Sequence, residues 1–197
     1  MPPTADLDHM RAAVLVTILA TSACAPRLAI GIDSTAKVDG PLANISPIAR
    51  RTALSGIQSI EPPPEGHNYS VGLGFGDKNF TLGMRVQGND LSGATLGDDG
   101  PQYVSAAAQL EFRYAFLRLK GIGVTALLAP GRTVLVDTTN GGHNWGSGIR
   151  YGGALSYTLA GFSVFADVYQ EQLVFVDGPA EGRSSREGVT VGLSFQP

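Results

Sequence analysis

From residue 68 to the end of the chain, apolar residues alternate with small or polar ones, the period of β-strands whose side chains point to opposite faces. Tyr69, Val71, Leu73 and Phe75 interleave with Ser70, Gly72, Gly74 and Gly76. Phe80, Leu82, Met84 and Val86 follow against Thr81, Gly83, Arg85 and Gln87, and a long run from Val104 through Phe112 and Tyr114 to Phe116 opposes Ser105, Gln109, Glu111 and Arg113. The same pattern marks strands over 122–136, 149–159, 162–171 and 189–195, seven in all. Within 122–136 the alternation fails at Leu127-Leu128-Ala129-Pro130, and because proline lacks a ladder donor a bulge or break is expected there. Strand 162–171 is the least tidy, with Phe165 and Tyr169 on its polar side.

The second face decides the class. A soluble sandwich covers its outer face with Lys, Glu and Thr. Here that face is mostly Gly, Ser, Ala and Thr with isolated charges, which fits the narrow interior of a closed antiparallel up-and-down β-barrel of about eight strands, its apolar face turned to lipid. The connections agree: tight turns at Gly76-Asp77-Lys78, Lys120-Gly121 and Ala160-Gly161 alternate with long ones at 88–101, 138–146 and 177–188. In membrane barrels the short turns are periplasmic and the long loops external. The first tight turn must then follow an inward-running strand, so an eighth strand is required before it. Leu28–Ile32 and Arg51–Ile60 are the candidates, the second favoured by its shorter connection; otherwise 25–66, with Pro26, Pro41, Pro47 and Pro62-Pro63-Pro64, reads as linker or loop. Phe75, Phe80, Phe116, Tyr157, Phe162 and Phe195 share the lipid-facing parity near the short turns, as an interfacial girdle would, with Tyr69 and Tyr151 at the other end.

Composition supports this picture. Only 16% of the 197 residues are charged and 26 are glycine, against roughly 25% charged and 7% Gly in ordinary soluble domains. A net charge of -3 with no basic run beyond Arg50-Arg51 excludes a nucleic-acid-binding face, and a single cysteine excludes an intramolecular disulfide or a Cys-rich zinc site. Residues 1–24 read as an export signal: Arg11, the apolar run Ala12–Ala20, then Thr21-Ser22-Ala23 before Cys24. Met10 is the more natural start, since Asp6 and Asp8 do not suit a basic leader. Ala23-Cys24 resembles a lipoprotein signal that would make Cys24 the lipidated first residue, although Thr21 stands where that family has Leu; ordinary cleavage after Ala23 or Ala25 is the alternative.

In this two-faced pattern residues 68–197 resemble the small bacterial outer-membrane barrels of the OmpA type. Gly192-Leu193-Ser194-Phe195 is similar to their terminal aromatic assembly signal, with Gln196-Pro197 following as a departure. The resemblance implies outer-membrane lipid as the surroundings and carries no family-specific functional motif.

The candidate chemistry is modest. Arg85, Glu111, Arg113, Arg150, Asp167 and Glu171 have the lumen-facing parity. An unpaired buried ion costs several kcal/mol, so they are expected to form a network filling the interior; a polar pore or ligand cavity is the other reading. His143, Asn144, Trp145 and Ser147 fall in a glycine-rich stretch read as a surface loop, with no spacing that fixes a Ser-His-acid triad. Asp90, Asp98 and Asp99 lack the ligand spacing of a calcium site, and Gly72, Gly74 and Gly76 are followed by a strand, which excludes a phosphate loop. No metal or cofactor is implied. The expected role is non-enzymatic, structural or surface-interacting, with a surface ligand reached through 88–101, 138–146 and 177–188. The alternatives are a lipid-anchored soluble periplasmic barrel holding an apolar ligand, with Phe112, Tyr114 and Phe116 inside, and, less favoured, a lipid-modifying hydrolase.

Overall fold

Eight antiparallel strands close on themselves in simple chain order in the computed structural model, which describes residues 25–45, 68–77, 79–90 and 103–197. They are β1 (Ala25–Asp39), β2 (Asn68–Gly76), β3 (Phe80–Asp90), β4 (Tyr103–Leu119), β5 (Ile122–Asp137), β6 (His143–Leu159), β7 (Phe162–Phe175) and β8 (Gly182–Phe195). A short 3-10 helix, Pro41–Asn44, follows β1. Closure is made by β1 against β8, where Leu28 pairs with Phe195, and it leaves no free edge in the sheet. Following paired residues around the barrel, Pro26 leads through Phe75, Leu82, Phe112, Leu128, Tyr151, Gln170 and Glu187 back to β1 at Lys37. One circuit thus climbs far up the first strand, the stagger that tilted barrel strands require.

The missing strand is the one at Leu28–Ile32, inside a longer β1 than the pattern marked; 51–60 lies outside the described residues, as do residues 1–24 with Cys24. Pro130 neither breaks nor bulges β5. It stands opposite Ile149, and the β4–β5 register is the same on both sides of it, Gln109 with Gly131 and Phe112 with Leu128. The absent N–H costs rungs of the ladder at Leu110 and Glu111 but not the register. The bulges lie elsewhere, between Thr35 and Lys37 and between Ala115 and Leu117.

Parity is as expected. Leu28, Ile30, Leu73, Met84, Phe116, Leu155, Val164 and Leu193 all face outward and are exposed. A water-soluble barrel would hide these residues; Tyr114 and Phe116 point out, 57% and 61% exposed, opposite to what an interior ligand pocket needs. Toward the end away from the short turns the outer face becomes polar, at Ser34, Arg132, Ser147, Gln172, Ser185 and Glu187. The strands nevertheless continue past this level. The connections read as 138–146 and 177–188 shorten accordingly, because β6 begins at His143 and β8 at Gly182. Residues 91–102 of the remaining long connection lie outside the described residues.

Candidate functional site: the lumen and its two ends

All six charged residues assigned to the lumen by parity are buried inside the barrel. Arg113 is at the centre of one group. Its Nε donates to Glu111 Oε1 at 2.6 Å, while Nη1 and Nη2 reach the two oxygens of Asp167 at 3.0 and 2.6 Å, a fork on a planar carboxylate. Arg85 donates to Glu111 at 3.2 Å, to Asp167 at 3.4 Å and to Ser70 Oγ at 2.9 Å. A second group lies nearer the outer end: Gln109 Nε2 donates to Glu171 at 2.6 Å, and Arg186 Nε donates to the same carboxylate at 2.8 Å. Arg150 donates to Gln87 Oε1 at 2.8 Å, to Asp33 at 3.1 Å and to Thr190 Oγ1.

The sequence reading missed three charged members of this network. Arg27 and Asp33 lie in the segment taken as linker, and Arg186 in the segment taken as loop. The signal was there in Leu28-Ala29-Ile30-Gly31-Ile32, whose alternation places 27 and 33 on the inner face once it is accepted as a strand.

Two aromatic rings share the lumen with these ions. Arg150 stacks on Tyr169, 3.4 Å from the ring centroid, and Phe165 lies between Arg113 at 5.4 Å and Arg27 at 5.7 Å. Both rings come from the untidy strand β7, and each is laid across a glycine of β8: Phe165 pairs with Gly192 and Tyr169 with Gly188. A Cβ at Gly192 would be 2.5 Å from the Phe165 ring and 2.2 Å from the Ile30 carbonyl; at Gly188 it would be 2.6 Å from the Tyr169 hydroxyl. The glycines are what make room for aromatic rings in so narrow a barrel.

The outer end is closed by an apolar plug. After β1 the chain turns inward, and Leu42 packs with Val38, Tyr103, Leu135, Leu173, Phe175 and Ala180, with Ala43 and Ile45 against them. The Leu42 N–H donates to Ser184 Oγ at 3.0 Å, which ties the helix to β8. Leu135, together with Leu127 and Ala129 below it, explains the lost alternation in β5, where the inner face is itself apolar.

The inner end is different. Between the three short turns lies an open cavity of about 440 Å³, lined by Arg27, Arg113 and Arg118 and by hydroxyls of Thr81, Ser163 and Ser194 among others. Asp77, the one carboxylate side chain on the described lining, accepts the N–H groups of Asn79 and Phe80 at 2.7 Å each. These two bonds hold it below the usual carboxylate range.

His143 and Trp145 belong to β6 rather than a loop. They face outward and meet edge to face at 6.5 Å, with Ser147 further along the same face. Asp90 ends β3, and Asp98 and Asp99 lie outside the described residues.

No protein-family model and no curated protein matches the sequence. Solved structures do resemble the fold. Neisserial surface protein A is similar over 88% of this chain and 97% of its own, with a TM-score of 0.50 and 10% identity. A major outer membrane protein from Thermus thermophilus is similar over 89% of this chain and 100% of its own, with a TM-score of 0.51 and 11% identity. Fold, lipid-facing belt and ion-filled lumen define a small membrane-spanning β-barrel of the bacterial outer-membrane type.

Proposed function

We propose that this protein is a non-enzymatic barrel that serves the cell envelope through what it presents outside, as a structural or surface-interacting element. The observation that carries the reading is the filled interior. A lumen occupied by bonded ions and capped by Leu42 and its neighbours is built as a rigid post. The surface in question is at the outer strand ends, where Trp145 and Val176 are exposed above the polar level, together with the connections that the sequence marks at 88–101, 138–146 and 177–188. A ligand met there is the partner in this reading.

Export behind residues 1–24 belongs to the same proposal, with Cys24 as the lipidated first residue. That position directly precedes Ala25, which pairs with Gly76 at the short-turn end. A diacylated terminus there would add a second anchor to the barrel.

The test has three parts. The protein should extract only with detergent and migrate faster unboiled than boiled; release by salt alone would refute the barrel role. Cells lacking it should lose surface binding or detergent resistance, restored by the wild type and not by a variant with 138–142 and 176–179 replaced by Gly-Ser. Full restoration by that variant would refute an external role for those connections. Mass spectrometry of the mature chain reads the lipid on Cys24 directly.

A further inference from the structure

We propose that the cavity at the short-turn end is a binding site for a small oxyanion, the carboxylate or phosphate of a solute that enters from the periplasm. The charge count of the lumen motivates it. Five guanidiniums, Arg27, Arg85, Arg113, Arg150 and Arg186, face four carboxylates, Asp33, Glu111, Asp167 and Glu171, among the described residues. The outer groups are balanced, since Arg150 has Asp33 and Arg186 has Glu171. The surplus therefore falls on the inner group, where Arg27, Arg85 and Arg113 share Glu111 and Asp167.

Position singles out Arg27 within that group. Arg113 spends its donors on both carboxylates, and Arg85 is capped by Ser70. Arg27 has a single ion-pair contact, to Glu111 Oε1 at 3.4 Å, and its side chain is 13% exposed, on the lining of the cavity. A guanidinium has five donors in a planar fork suited to carboxylate and phosphate. Here it is mostly out of water, so its attraction for an anion is little screened. Arg118 supplies a second cation at the rim, and the one acidic side chain on the described lining, Asp77, already accepts two backbone N–H groups. Thr81, Ser163 and Ser194 add hydroxyls to the same lining, that of Ser163 bonded also to Thr158 Oγ1. A volume of about 440 Å³ lies within the roughly 300–1,000 Å³ of small-ligand pockets. This site belongs to the inner end alone and does not depend on what the outer surface binds.

The experiment is a titration of the full chain, folded in detergent micelles, with inorganic phosphate and separately with acetate, at constant ionic strength against chloride. The readout is the Nε–Hε resonance of each arginine. The expected result is a saturable shift of the Arg27 signal with phosphate, acetate or both, while the Arg150 and Arg186 signals stay in place. Arg118→Gln should weaken binding about three-fold and Arg27→Gln at least about ten-fold, the latter equal to about 1.4 kcal/mol. A strictly linear response, or shifts equal to those in chloride, overturns the site, as does full binding in a folded Arg27→Gln variant. Should Arg27→Gln fail to fold, the wild-type Arg27 signal decides alone, and one that does not saturate overturns the proposal.

Discussion

Asp167 shows how one side chain holds a lumen together. It is fully buried and receives Arg113 through both oxygens and Arg85 through one. Asp167→Asn would leave two buried guanidiniums with Glu111 as their only acidic partner. A loss of about 3 kcal/mol or more is expected, because removing one partner strands the other without solvent. Urea unfolding in detergent micelles measures it, and Asp167→Asn combined with Arg113→Met should recover part of the loss; a double variant as unstable as the summed singles would contradict the pairing. The network also marks how far single residues were legible. Parity alone assigned Arg85, Glu111, Arg113, Arg150, Asp167 and Glu171 to the interior, since inward direction follows from period two. Which acid meets which base did not follow, because partners such as Arg85 and Asp167 sit on strands that do not touch and are brought face to face only by closure.

The element with the greatest leverage is the short helix after β1. It is held among the described residues by the apolar cluster around Leu42 and by the bond from the Leu42 N–H to Ser184. Leu42→Asp would bring a charge among Leu135, Leu173 and Phe175 without a partner, and the helix is expected to leave the mouth while the barrel remains closed. Amide exchange at Leu135 and Phe175 should speed up by at least about ten-fold, with mobility on unboiled gels unchanged; unaltered exchange would mean the helix does not seal the mouth. Strand legibility follows the same logic of contrast. Where one face meets lipid and the other the lumen, the alternation is clean, and 69–75, 80–86 and 104–116 could be read directly. Above the lipid both faces meet polar surroundings, as at Ser147, Gln172 and Ser185, so the ladder continues while the pattern fades. That is why β6 starts at His143 and β8 at Gly182, earlier than periodicity marks them. β1 was obscured by Pro26 and by the bulge after Thr35, which flips the faces partway along.

At the scale of the whole molecule the belt sets the constraint. Leu155 lies outward and 57% exposed in its apolar part, whereas Gln172 lies outward at the polar level. Leu155→Arg should cost about 2–4 kcal/mol in a bilayer, and Gln172→Arg about 1 kcal/mol or less, the depth dependence expected of a lipid-facing wall. Reversible unfolding from lipid vesicles tests the difference; equal costs would mean that this wall does not face lipid. The global fold was legible because a closed sheet needs only the strand count, two unlike faces and alternating connection lengths. The interior architecture was not, since the plug depends on where the segment after β1 folds, and the inner cavity on which side chains closure brings together at the short-turn end.

The apolar plug above the bonded ions has one more consequence. With the inner end open and the outer end stopped, the barrel is a cup rather than a pipe. The inner cavity reaches as far as Arg27 and Arg113, and the Leu42 cluster stands at the opposite end of the lumen. Electrically such a vessel is expected to behave as a capacitor plate and not a resistor, and planar-bilayer recording that finds a steady current would mean that the plug leaks.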